Sequence, residues 1–381
     1  MAEEHRRIAD SVFVIVANGF ADGPAQALRE YLLSRDARRV VTVQHPLGPE
    51  DGRRHLVRDE GAGRAPRERT FTLPSKPPLT YPLDLVVPPL LPRADAWFGF
   101  NGLACARGLA ARRLGGARRV VYWCVDFVDD RFGDGVATRA YVALDRLCCT
   151  RADRRVELSD AAREARDRRH AGAHLAPADV VPMGAWVDRV PVTAVQLAPV
   201  VGYLGHLVPR QGVPTLLEAL ALIRSRGRTV RAEVIGKGPQ EGELKALAAE
   251  LGLAADVRFH GFVPDHRDVE RILATCSIGA APYVDDPASF TRYADPGKLK
   301  AYLAAGLPVV TTAVAPNVGE LAGAGAAVVV DDDPGELARA LEALLEDEEE
   351  WRRRRTAALS LRDRFDWNAL LEPALQRLGF A

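Results

Sequence analysis

The sequence predicts an α/β protein built from two doubly wound parallel sheets, and three observations carry that prediction. Short β-branched runs alternate with amphipathic helical stretches along most of the chain, as where "SVFVIVA" leads into "PAQALREYLLSR". Such alternation builds a parallel sheet covered by helices on both faces. The chain has 381 residues, 48% of them hydrophobic, which is more than one core usually serves, so two domains are expected. A Pro/Val-rich passage, "RVPVTAVQLAP" at 189–199, separates two such series and reads as the linker. The expected organisation is an N-terminal domain over 1–190, a C-terminal domain over 197–360 and a closing helix over 361–381 that crosses back to the N-terminal domain.

The elements follow in order. The strand at 11–17 passes through "NGFADG" into the first helix, and "RVVTVQ" (39–44) is the second strand. From 48 to 82 the chain is rich in Pro, Gly and charge with weak periodicity, and reads as an extended insertion. "ADAWFGF" (94–100), a helix near 103–114, "RRVVYWCVDF" (118–127), helices around 135–151 and 159–170 and the strand "ADVVPMG" complete the first half. In the second half, "VVGYLG", "VRAEVIG", "DVRFHGF", "CSIGAAPY", "LPVVTTA" and "AAVVV" are six strands. They are separated by helices at about 213–226, 239–252, 266–275, 297–305, 316–322 and 334–346, and the tail after 350 reads as helical.

Charge and cysteine usage exclude several classes. Lys+Arg and Asp+Glu both total 51, so no excess positive charge supports a nucleic-acid partner. Residues 1–195 hold 30 basic and 25 acidic side chains, a mild basic tilt that suits weak peripheral contact with an anionic membrane. The Arg-rich stretch "RADRRVELSDAAREARDRRH" is interleaved with acids and reads mainly as a solvated face. Only five of the basic residues are lysines, so a lysine is the more telling of the two. Five cysteines without paired metal-ligand spacing suit reduced thiols and a cytoplasmic location. The apolar run near the N-terminus is short and has acidic flanks, so it reads as a strand, and no run approaches the ~18 residues of a membrane span. His170 and His174 have the i, i+4 spacing of metal ligands but no nearby third ligand, so no metal site is expected.

Open α/β sheets bind ligands at the C-terminal ends of their strands, which directs attention to four loops of the second half and to a shared central cleft. "VGYLGHLVPRQGVPTLLEAL" (201–220) runs from a strand through Gly205, His206 and Arg210 into a helix N-terminus, which favours an anion. The same composition also serves strand-to-helix turns that bind nothing. "IGKGPQEGEL" (235–244) sets Lys237 between Gly236 and Gly238, and "HGFVPDHRDV" (260–269) offers Phe262 and Val263 as an apolar wall or as simple packing. In "PYVDDPASFTRYADPGKLKAYLAAGLPVVTTA" (282–313), a strand ends at Tyr283, and Pro296, Gly297 and Lys298 open a helix suited to a phosphate. Lys300 in the same helix reads as a solvated residue. In the first half, Asn18, Gly19 and Asp22 line the first loop as acceptor contacts or as turn residues, and Asp126 in "YWCVDFVDD" closes a strand, where it serves either an acceptor hydroxyl and a developing cation or a turn or helix cap.

Taken in order, "VGYLGHLVPRQGVPTLLEAL", "AEVIGKGP", "VRFHGFVP", "CSIGAAPY", "YADPGKLKAYLAAGLPVVTT" and "LARALEALLED" resemble the nucleotide-sugar glycosyltransferases of GT-B fold, family 4 (group 1). The resemblance implies two Rossmann-like domains facing a central cleft and a retaining transfer of a hexose-type sugar from a nucleoside-diphosphate donor. No metal or other cofactor is implied. It assigns the donor diphosphate to Gly205, His206, Arg210, Gly297, Lys298 and Leu299, and the nucleoside to Gly236, Lys237, Phe262, Val263 and Tyr283. Asn18, Gly19 and Asp22 fall to the acceptor, a small molecule, lipid-linked compound or glycan, and Asp126 to catalysis. Bacterial origin is expected. Typical members hold the diphosphate with Arg and Lys in the first turn, where this chain has His206 and Gln211, and show two Glu at the positions of Tyr293 and Ala301. These departures keep a non-catalytic partner of the same fold open as an alternative; a nucleotide-sugar 2-epimerase on the same fold is a second, disfavoured because its usual acidic and histidine set is not recognisable here.

Overall fold

The structure, a computed structural model, describes residues 6–381 apart from 21, 49–50, 78, 89, 129–132, 134, 191, 193–195 and 287–289. The chain divides into two units, Met1–Pro182 with Asn368–Ala381, and Met183–Trp367. The change of unit thus falls just ahead of the passage expected to be the linker, part of which lies outside the described residues.

In the first unit the strands are β1 (Val12–Asn18), β2 (Arg39–His45), β3 (Arg54–Glu60), β4 (Arg67–Thr72), β5 (Ala94–Gly99), β6 (Ala117–Cys124), β7 (Arg154–Glu157) and β8 (Ala178–Val180). They form one sheet in the order β4-β3-β2-β1-β5-β6-β7-β8. The sheet is parallel except where β3 pairs antiparallel with β2 and β4 with β3. The helices are α1 (Pro24–Ser34), α2 (Tyr81–Asp84), α3 (Gly102–Arg113), α4 (Val136–Arg151) and α5 (Asp160–Arg169). β1 is buried along nearly its whole length because it pairs on both edges and is covered on both faces, which is why it reads as an unbroken apolar run.

Two expectations are corrected here. The stretch 48–82 is not merely an extended insertion: β3 and β4 lengthen the sheet. β4 is mostly exposed, so its arginines face water and no apolar alternation marks it. Nor is the Arg-rich stretch wholly a solvated face. Arg155 and Arg166 are buried, Arg166 pairs with Asp145 and Glu157, and Arg155 donates to Asp167 at 2.7 Å. His170, in the same network, lies 2.7 Å from Asp145, whereas His174 is exposed.

The second unit contains β9 (Val200–Leu204), β10 (Arg231–Ile235), β11 (Val257–Gly261), β12 (Ile278–Ala281), β13 (Val309–Thr312) and β14 (Ala327–Val330). They form a parallel sheet in the order β11-β10-β9-β12-β13-β14. Around it lie α6 (Val213–Ser225), α7 (Glu241–Glu250), α8 (His266–Leu273), α9 (Gly297–Ala304), α10 (Val318–Gly323), α11 (Pro334–Glu346) and α12 (Glu348–Arg362). The strand order reverses direction at β9, where β10 lies on one side and β12 on the other, so the loops after β9 and β12 sit at the switch point of the sheet. The last helix, α13 (Trp367–Arg377), carries the chain into the first unit, where the Arg6 amide donates to the Gly379 carbonyl at 2.9 Å and the Ala381 amide to the Arg6 carbonyl at 3.0 Å.

Candidate functional site

The loops after β9, β10 and β12 interlock through their backbones. The Gly205 amide donates to the Ile235 carbonyl at 2.9 Å and the Leu207 amide to the Lys237 carbonyl at 3.0 Å. The amide of Val284 donates to the carbonyl of Arg210 at 3.1 Å. Gly236 has φ +134, and a Cβ there would run into the Gly205 carbonyl oxygen, so only glycine permits the first two loops to lie this close. The consequence bears on the first turn as an anion site: the amides of Gly205 and Leu207 are committed to the neighbouring loop. Pro214 removes another from the first turn of α6.

The cation at this point comes from α9. Tyr302 anchors that helix over the sheet by donating to the Ala280 carbonyl at 2.9 Å while its hydroxyl accepts from the Leu204 amide at 2.8 Å. At the other end, the guanidinium of Arg355 donates to the Gly306 carbonyl at 2.8 Å, a cation placed where the helix dipole favours one. These anchors aim Lys298 at the first turn. Its Nζ lies 2.9 Å from where a Cβ on Gly205 would stand, and Gly205, at φ +148, leaves that space to the ammonium.

Lys298 is 8% exposed and has no carboxylate partner among the described residues. It donates to Gln211 Oε1 at 2.6 Å and lies 4.3 Å from the centre of the Tyr203 ring and 4.8 Å from that of Tyr283. Ring faces and one amide oxygen stabilise an ammonium weakly compared with an anion. Burial accordingly lowers the Lys298 pKa to about 7. Lys300 is a contrast: 1% exposed, it pairs with Asp295, which also accepts from the Met183 amide at 2.6 Å. The expectation of a solvated Lys300 is therefore corrected, since its charge is consumed inside the fold.

The remaining predicted residues divide clearly. His206 and Arg210 are both exposed on the first turn. Gly297 starts α9, and the Leu299 side chain is fully buried with its amide 3.3 Å from the Pro296 carbonyl. Tyr283 is 1% exposed beneath Lys298, which places it with the cation and not with an open nucleoside surface. Phe262 is 50% exposed with the Lys237 ammonium 5.1 Å from its ring centre, and Val263 beside it is half-buried. Tyr203 and Gln211 were not predicted as site residues. Tyr203 reads as core in a buried strand, and only the fold brings its ring under Lys298.

In the first unit, Asn18 stands at the end of β1 with both polar ends engaged. Its Nδ2 donates to Pro46 O at 3.2 Å and Asp84 Oδ2 at 3.1 Å, and its Oδ1 accepts from Asn101 at 2.6 Å. Gly19, at φ +93, donates its amide to His45 O at 2.8 Å, and Asp22 is exposed. Asp126 follows β6 and is half-buried; its carbonyl accepts from Arg166 at 2.8 Å. Asn18 thus organises the loop ends of this sheet, while Asp126 and Asp22 are the carboxylates with access to solvent.

Comparison with known proteins fits this arrangement. Residues 198–347, nearly all of the second unit's sheet and helices, match the family described as glycosyl transferases group 1. The 2-deoxystreptamine glucosyltransferase of Streptomyces kanamyceticus is 28% identical over 88 residues, 23% of this chain and 22% of that protein. The lipopolysaccharide core biosynthesis glycosyltransferase LpsE of Rhizobium meliloti (strain 1021) is 37% identical over 81 residues, 21% of this chain and 23% of that protein. The chain thus aligns with less than a quarter of the length of these curated relatives. Among solved structures, HepE of Anabaena in complex with UDP-glucose superposes with a TM-score of 0.68 at 18% identity, covering 97% of this chain and 99% of that one. The fold is GT-B, and residues 198–347 of the second unit are similar to group 1 glycosyl transferases.

Proposed function

We propose that this chain is a glycosyltransferase that moves a hexose-type sugar from a nucleoside-diphosphate donor, of which UDP-glucose is the first candidate, to an acceptor hydroxyl with retention of anomeric configuration. One observation carries the reading. A buried ammonium without a carboxylate partner among the described residues is fixed beside the first turn at the switch point of the sheet, by an anchored helix and by Gly205, which leaves room for it. An unpaired buried cation costs stability, and the cost is offset when an anion binds. The similarity of residues 198–347 to group 1 glycosyltransferases, and of the whole fold to a protein solved with UDP-glucose, supports a donor diphosphate as that anion.

In this reading Lys298 stabilises charge that builds on the departing diphosphate, which is larger in the transition state than in the bound donor. Arg210 and His206 close over the exposed side of the diphosphate, while Gly297 brings the α9 N-terminus to it. Phe262 and Lys237 flank the nucleoside at the open side of the second loop. The carboxylate of Asp126 orients the acceptor hydroxyl, and the departing phosphate takes the acceptor proton, so neither a metal ion nor a cofactor is part of the reaction. The acceptor carries a hydroxyl on a small molecule, lipid-linked compound or glycan, bound by the first unit near Asn18, Gly19 and Asp22, and the protein works in the cytoplasm of a bacterium.

The test is consumption of a panel of nucleotide sugars with and without candidate acceptors, read by release of nucleoside diphosphate. Transfer or slow hydrolysis supports the reading, interconversion of the donor sugar identifies an epimerase, and absence of both turnover and binding rejects it. Lys298→Met should abolish turnover with the fold intact.

A further inference from the structure

Asn18, His45 and His55 stand side by side on three adjacent strands. Asn18 pairs with His45 in the β1–β2 register, and the antiparallel β2–β3 register that pairs Gln44 with Leu56 sets His45 opposite His55. Asp84 at the end of α2 closes over them. Both histidines are fully buried and Asp84 is 3% exposed. His45 Nδ1 and His55 Nδ1 are 2.8 Å apart, and Asp84 Oδ1 is 3.3 Å from the first and 3.8 Å from the second.

We propose that His45 Nδ1, His55 Nδ1 and Asp84 Oδ1 form a binding site for a divalent transition-metal ion of the zinc class, which pins the segment after β4 to the sheet. The three separations define a triangle whose corners are each about 2.0 Å from a common centre, the length of zinc bonds to imidazole nitrogen and carboxylate oxygen. Without an ion the polar accounting fails. Two neutral imidazoles meeting through Nδ1 can share one proton between them, and Asp84 Oδ1 is then left without a hydrogen-bond partner among the described residues. A dication takes all three atoms as ligands and leaves each imidazole proton on Nε2, which for both histidines is buried without a partner among the described residues. The carboxylate is already oriented for it, because its other oxygen accepts from Asn18 Nδ2 at 3.1 Å, as metal-bound carboxylates are commonly held. Arg107 on α3 acts on this cluster as a nearby cation, and it donates to the carbonyls of Asp84, Val87 and Pro88, so it holds the same segment.

A second group, Asp145, Cys149 and His170, also gathers ligand-type atoms. There Asp145 already accepts from Tyr122 at 2.6 Å and pairs with Arg166 and His170. The Arg166 guanidinium supplies the positive charge, and burial keeps the Cys149 thiol protonated. That cluster is satisfied without an ion.

The pinned segment bears Leu79, Leu83, Leu85, Val86 and Leu90 on its exposed side, and its inward contacts are made by Asp84, by Arg107, by buried Thr80 and Pro88 and by Tyr81, whose hydroxyl donates to the Leu47 carbonyl at 2.7 Å. The test uses the full chain with any affinity tag removed, stripped with a chelator and titrated with Co²⁺. The expected result is about one equivalent bound with visible d–d absorption, displaced by Zn²⁺, together with a Zn²⁺-dependent rise in melting temperature and protection of 79–90 from proteolysis. His55→Gln and Asp84→Asn should lose the absorption. If a variant fails to fold by circular dichroism, the wild-type titration and its chelator reversal decide alone. No cobalt absorption and no melting shift in the wild type overturn the proposal. So does a near-ultraviolet thiolate charge-transfer band, which would place the ion at Cys149, or binding unchanged in folded His55→Gln.

Discussion

Varying pH tests Lys298 most directly, because the structure sets both the sign and the size of the effect. In the free protein burial holds the ammonium at a pKa of about 7. Its charged fraction is then about one half at pH 7 and about one hundredth at pH 9. A bound diphosphate favours the charged form and raises that pKa, so binding above pH 7 takes up a proton. Affinity for a nucleoside diphosphate should therefore fall by up to about 50-fold, or ~2.3 kcal/mol, between pH 7 and pH 9. Burial also pushes the Tyr203 and Tyr283 hydroxyls up, so they stay neutral over this range and Lys298 carries the effect. For folding, the pKa of Lys298 is lower in the native state than in the unfolded chain, which binds more protons between about pH 7 and pH 10.5. Ligand-free stability contributed by this group thus rises with pH through that window and is at its lowest below pH 7. Isothermal titration calorimetry with UDP at pH 7, 8 and 9, in buffers of different ionisation enthalpy, reads both affinity and proton uptake. An affinity independent of pH with no proton uptake would refute the reasoning.

The same burial argues that Lys298→Met, while removing donor binding, stabilises the ligand-free second unit by about 2 kcal/mol, seen as a higher melting temperature. Asp295→Asn leaves Lys300 buried without its counter-charge and should destabilise the second unit by about 3–5 kcal/mol in urea or thermal unfolding. Gly236→Ala drives a methyl into the Gly205 carbonyl and forces a positive φ on alanine, so UDP binding should fall at least tenfold if the protein still folds; unchanged calorimetry would contradict the account of the loops. Phe262→Ala, at an exposed position, should leave the melting temperature within a degree or two and weaken UDP binding by about 5–20-fold if the ring stacks on the base.

The strand and helix series of the second unit was legible because each element obeys one period: six short apolar runs became β9 to β14, and the helices between them follow the expected spans within a few residues. The first unit was less legible where function of the sheet position, not apolar pattern, decides structure. β3 and β4 are antiparallel and one is largely solvated, so their charged residues conceal them, and with them the cross-strand meeting of His45 and His55.

Residue type and spacing alone determined that a lysine, two glycines and a helix start would stand at the C-terminal ends of parallel strands. Only the tertiary structure decided which of two lysines, Lys298 or Lys300, keeps an unspent charge, because a side chain's partner is a matter of three-dimensional neighbours. Asp295 neutralises one, while the other meets two aromatic faces and an amide. The cost of removing a charge from water then depends on that partner and not on the residue itself.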